Sequence, residues 1–105
     1  MTIADDKTLK KFRAELDRLY GDRLERVVLY GSRARGDARE DSDYDVAVFL
    51  RQPGSFWEES GHIAEIETDI LYETGSVINA LPFRAGAYED RTPLMHEIRQ
   101  DGRDL

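Results

Sequence analysis

The sequence predicts an α/β (α+β) fold, a small mixed β-sheet flanked by helices in the order α-β-α-β-α-β-α. Two segments carry apolar residues at helical spacing, three runs are strand-like and closed by Gly or Pro, and a Gly-Ser pair follows the first of those runs directly. A chain of 105 residues suits one domain, residues 1–105, and hides only about two-thirds of the surface its unfolded form exposes. One compact core is expected.

The first helix is expected over residues 5–20, where Leu9, Phe12, Leu16, Leu19 and Tyr20 recur three and four apart and Gly21 supplies a stop. Residues 26–30, β-branched and aromatic, read as a buried strand running into a tight turn at Gly31-Ser32 and a short helix over residues 32–35. A polar loop from Gly36 to Ser42 precedes the clearest strand, residues 44–50, which Pro53-Gly54 follows. Ser55 with Glu58 three residues on has capping-box spacing, and Trp57, Ile63, Ile66, Ile70 and Leu71 extend a helix to Gly75. Trp57 and Tyr72 are read as core aromatics rather than base-stacking groups. Residues 76–83 form a third strand that Pro82 either ends or confines to a sheet edge. Thr92-Pro93 opens a final helix through Arg99, which either covers the sheet or offers itself to a partner.

Composition narrows the function. With 40% hydrophobic and 35% charged residues, the chain is expected to fold and has no apolar run of membrane-spanning length. The charged start of the chain is unlike a secretory signal, so a cytoplasmic location is expected. The absence of cysteine removes disulfides, thiolate metal sites and a cysteine nucleophile. A net charge of −7 argues against broad nucleic-acid binding, which needs a concentrated basic surface. Arg33, Arg35 and Arg39 nevertheless cluster, so a small phosphate can be held locally. His62 and His96 lack ligand spacing, which argues against zinc.

The informative stretch is Leu29-Tyr30-Gly31-Ser32-Arg33-Ala34-Arg35-Gly36, then Ser42-Asp43-Tyr44-Asp45-Val46. Gly31 lets the backbone turn sharply beside a ligand, and Ser32 and the amides after it can donate to phosphate oxygens. Asp43 and Asp45, two apart on a strand, share a face and can present both carboxylates to one Mg²⁺, while Tyr44 and Val46 point the other way. Without a cation between them, at least one of the two should have a raised pKa. Arg33 and Arg35 either reach triphosphate oxygens, Arg35 being the better placed, or form solvated ion pairs. A phosphate cradle beside a metal clamp implies phosphoryl or nucleotidyl transfer.

This pattern, Gly31-Ser32, ten residues, then Asp43-Tyr44-Asp45, with Ala34 and Gly36 completing a Gly-Ser-x-Ala-x-Gly context, resembles the minimal nucleotidyltransferase (MNT) branch of the DNA polymerase beta-like superfamily. The resemblance implies a nucleotidyltransferase fold and transfer of AMP from MgATP to a hydroxyl. It implies Asp43 and Asp45 as catalytic metal ligands, and Gly31, Ser32 and Arg35 as nucleotide-binding residues. Small members resemble the antitoxins of HEPN–MNT toxin–antitoxin pairs, which implies a HEPN toxin as hetero-oligomeric partner and a toxin tyrosine as acceptor. The departure is the third family carboxylate, whose matching position is Asn79: an amide offers a metal its oxygen but no charge and no general base. Asp69 or Glu73 substitutes only if the third helix ends near the site. Asn79 therefore keeps a second reading open, a catalytically weak or inactive antitoxin that masks its toxin by binding. Transfer to a small molecule such as an aminoglycoside is the weaker third, since such members usually add a second domain.

Overall fold

The computed structural model describes residues 5–105. Its elements are α1 (Lys7–Tyr20), β1 (Leu24–Tyr30), α2 (Ser32–Arg35), β2 (Tyr44–Leu50), α3 (Phe56–Thr74), β3 (Ile78–Arg84), α4 (Pro93–Asp101) and β4 (Arg103–Asp104), with single 3₁₀ turns at Gly21–Arg23 and Ala87–Glu89. The expected order is present, with the two-residue β4 added at its end. Too short to carry a period of its own, β4 exists only through its antiparallel pairing with Val28 and Leu29.

The helices start and stop by local chemistry. Asp6 accepts the Leu9 amide at 3.0 Å, Ser55 the Glu58 amide at 3.1 Å and Thr92 the Met95 amide at 3.1 Å, each occupying a donor that a helix N-terminus leaves unpaired. Gly75 closes α3 in the left-handed region at φ 76°.

The sheet order is β3-β2-β1-β4, with β2 parallel to β3 and antiparallel to β1. The parallel pair is joined by α3, as such pairs require a crossover. One face of the sheet buries Val27 and Leu29 of β1 and Tyr44, Val46, Val48 and Leu50 of β2 beneath Leu9, Phe12 and Leu16 of α1 and Ile63, Ile66 and Ile70 of α3. On the other face, Val28, Ala47 and Phe49 pack with Met95 and Ile98 of α4, so this last helix covers the sheet. Coverage on both faces explains why β2 reads as an unbroken apolar run.

Pro82 lies inside β3, opposite Val48, on a strand that forms the sheet edge. The Ala80 amide of the same strand donates to Glu67 Oε2 of α3 at 2.9 Å. A ring in place of one N–H and a carboxylate over another blunt this edge against further strands. Among the described residues, no helix is long and apolar enough to cross a membrane.

Two aromatics expected in the core are not there: Trp57 is 81% exposed and Tyr72 85%. The buried side of α3 is Glu59, Ile63, Ile66 and Ile70. Trp57 lies six residues before Ile63, about 240° around the helix, and Tyr72 is out of phase in the same way. Leu19 and Leu71, at the margins of their helices' apolar faces, are each 44% exposed.

The buried residue Glu59 ties α3 to the end of α1. Its carboxylate, 3% exposed, accepts from Tyr20 Oη at 3.0 Å, Arg23 Nη2 at 2.7 Å and the Gly54 amide at 2.9 Å. Burial pushes its pKa up, but the bonds from Gly54, Tyr20, His62 and Arg23 outweigh that and hold it below the ordinary glutamate value. A lowered folded pKa gives stability that is complete above the unfolded value and is lost as the pH falls through the folded one. Glu59→Gln is therefore expected to cost about 1–3 kcal/mol at neutral pH. In urea denaturation the gap from the parent should narrow on acidification.

Candidate active site

Gly31 ends β1 with φ 74° and ψ −157°, a conformation open to glycine and strained for other residues. A second constraint acts on the same atom. A Cβ built there would lie 2.6 Å from Asp45 Oδ2, so the turn rests directly against a carboxylate. The β1/β2 register causes this contact, because Tyr30 pairs with Asp45 and the next residue must pass over it. The Gly31 carbonyl accepts both the Ala34 and Arg35 amides at 3.1 Å, closing the single turn of α2. Gly31 is thus the N-cap of that turn, and Ser32 is its first residue, half-buried, rather than its cap.

Strand alternation sends Tyr44 and Val46 into the α1/α3 core and leaves Asp45 on the α4 face, partly buried. Burial first, then the charges of Asp43 and Glu97, push the Asp45 pKa above the ordinary carboxylate range, against an opposing effect of Arg35. The same causes, burial followed by Asp45 and Glu97, raise Tyr30. Glu97 of α4 is the charged residue of this neighbourhood that sequence reasoning passed over: its place in α4 was foreseen, but not the face of the sheet that α4 covers.

Asn79 stands opposite Asp45 in the β2/β3 register, and its Nδ2 donates to Asp43 Oδ2 at 2.9 Å. The strand pairing therefore brings Asp43, Asp45 and Asn79 together. Among the described residues, no three His, Cys, Asp or Glu side chains are grouped to hold a metal. With the Asn79 amide turned over, two carboxylates and an amide oxygen would offer an oxygen donor set of the kind that suits Mg²⁺ shared with a phosphate. Of the alternative acids, Glu73 pairs with Lys11 of α1, and Asp69 is an exposed residue of α3.

The two arginines of the turn have separate surroundings. Arg33 binds back onto the spacer loop, with Nε and Nη2 donating to the Ser42 carbonyl at 3.0 and 2.7 Å and Nη2 also to the Glu40 carbonyl at 2.9 Å. Its guanidinium lies 4.0 Å from the centre of the Tyr44 ring. This clamp fixes the residues on either side of Asp43. Arg35 is exposed and forms ion pairs with Asp37 and Asp101, at 3.3 and 3.2 Å.

A family model described as the nucleotidyltransferase domain matches residues 9–92, and the chain belongs to that family. A candidate protein adenylyltransferase from Methanocaldococcus jannaschii is 32% identical over 77 residues, 73% of this chain and 71% of that protein. A second from the same organism is 41% identical over 44 residues, so that this match spans 42% of the chain and less than half, 44%, of the relative. A candidate nucleotidyltransferase from Sulfolobus solfataricus shares the fold with TM-score 0.66 at 20% identity, over 93% of this chain and 76% of that one. A toxin–antitoxin structure with AMP-PNP shares it with TM-score 0.60 at 19% identity, over 89% and 68%.

Gly31→Ala should force the turn off Asp45 and lower stability by about 1–3 kcal/mol, read as a drop in the urea midpoint. Arg33→Lys keeps the charge but cannot fork between two carbonyls and a ring. Amide exchange over residues 39–43 should accelerate in that variant while the exchange of α1 stays unchanged.

Proposed function

We propose that this chain is a Mg²⁺-dependent nucleotidyltransferase that moves AMP from ATP onto a tyrosine hydroxyl of a HEPN-type toxin, and so acts as its antitoxin. The observation that supports the reading is the close approach of Gly31 to Asp45, which sets the Gly31-Ser32 turn directly against a carboxylate. Membership of the nucleotidyltransferase family supports it, as do the likeness to adenylyltransferase relatives and the fold shared with a toxin–antitoxin structure.

In this reading Gly31 and Ser32 hold the triphosphate, and Asp43 and Asp45 hold the metal, with Asn79 adding its amide oxygen. Arg35 leaves its exposed ion pairs to meet a phosphate oxygen. Bound Mg²⁺ supplies charge stabilisation to the attacking and leaving oxygens of an in-line displacement. The acceptor oxygen bonds to the α-phosphorus, the bond to the β-phosphate bridge breaks and pyrophosphate leaves. Asn79 cannot take the hydroxyl proton, so that proton passes to solvent or to a base on the acceptor protein.

A second reading has its own observation. Asn79 ties up Asp43 through an N–H, where a third carboxylate would have added charge, and this favours an antitoxin that masks its toxin with little or no transfer. Intact mass of a HEPN toxin after incubation with this protein, ATP and Mg²⁺ separates the two. Adenylyl mass on the toxin that disappears with Asp43→Ala/Asp45→Ala is the expected outcome. A stable complex without added mass, together with transfer gained by Asn79→Asp, would replace the enzyme by the masking antitoxin.

A further inference from the structure

The outward side of α3 is divided lengthwise. Trp57, Gly61, Ala64, Thr68, Leu71 and Tyr72 are all exposed and form one uncharged stripe. Beside it, on the flank toward α1, run the exposed acids Glu58, Glu65 and Asp69, and no lysine or arginine occurs anywhere in the helix. The stripe has large residues at its ends and small ones at its middle. Trp57 and Tyr72 stand fifteen residues apart, about 22 Å along the axis, and Gly61, Ala64 and Thr68 leave a shallow saddle between them. Phe56 meets Trp57 edge to face, ring centres 5.4 Å apart, which fixes one end in advance.

Aromatic anchors around small residues suit a packed helix better than an added strand. The neighbouring edge, β3, is already blunted by Pro82 and by Glu67 on the Ala80 amide. The charges then choose the occupant. In an antiparallel pairing of two copies of α3, which sets Trp57 opposite Tyr72, the acidic flanks of both copies lie on the same side of the joint and repel. A partner with cations on that flank gains where a second copy loses.

We infer that the outer face of α3 docks an amphipathic helix of another protein, whose apolar side seats between Trp57 and Tyr72 and whose lysines or arginines line the flank of Glu58, Glu65 and Asp69. The inference concerns a protein partner and does not depend on whether nucleotide is transferred.

Trp57, the single tryptophan of the chain, reports on its own site. The probe is a synthetic amphipathic helix with a leucine–alanine face and lysines along one flank, against the same peptide with glutamates in their place, titrated into the full chain. The lysine peptide should shift the Trp57 emission to the blue, with affinity that weakens as salt is added, while the glutamate peptide leaves it unchanged. By calorimetry, Trp57→Ala/Tyr72→Ala should weaken the lysine peptide about tenfold or more, and Glu58→Gln/Glu65→Gln/Asp69→Asn should remove the salt dependence. Asp43→Ala/Asp45→Ala should leave peptide binding intact, and Trp57→Ala/Tyr72→Ala should leave ATP binding intact, so failure of the docking face and failure of the nucleotide site are read separately. Equal binding of both peptides, binding of neither, or a protein dimer by sedimentation that buries Trp57 would each overturn the inference.

Discussion

The contact between the Gly31 backbone and the Asp45 carboxylate is the constraint on which the site depends. It requires a residue without a side chain, a positive φ, and a β1/β2 register that pairs Tyr30 with Asp45. A shift of that register by one residue would turn Asp45 into the apolar layer beneath α1 and α3 and bring Tyr44 out. The packing of Tyr44 and Val46 against that layer is therefore also what aims the carboxylates. Core and site are set by the same alternation.

Around that contact, charge is arranged at some cost. Asp43, Asp45 and Glu97 bring like charges together, and the raised pKa of Asp45 expresses the strain of burial and repulsion. Arg33 donates to the Ser42 carbonyl and so organises the loop that carries Asp43. A cation is the natural complement of the Asp43 and Asp45 carboxylates. Asn79 moderates the repulsion by adding a donor where another carboxylate would have added charge, and the two proposed readings of the chain turn on that one residue.

The far side of α3 follows a different logic. Its inward face is spent on Ile63, Ile66 and Ile70 and on the buried Glu59, and Glu59 satisfies its charge with Arg23, Tyr20 and the Gly54 amide. The outward face carries aromatic surface that folding does not bury, which isolated soluble domains rarely leave in one stripe. The two faces of one helix thus serve the domain and a neighbour separately.

The sequence by itself determined the elements and the motif. Periodicity fixed α1 and α3, β-branched runs fixed β1 and β2, caps such as Ser55 and Thr92 fixed helix starts, and the spacing of Gly31-Ser32 from Asp43 and Asp45 marked the candidate site, because all of these are properties of neighbouring residues. Only the tertiary structure decided what depends on distant pairing. It put Asn79 opposite Asp45, gave β4 a partner, turned Arg33 onto the loop, brought Glu97 toward the carboxylates and left Trp57 and Tyr72 outside. The physical reason is that local pattern shows how apolar a face is, while the strands and helices that arrive from elsewhere in the chain settle which face is covered and which charges meet.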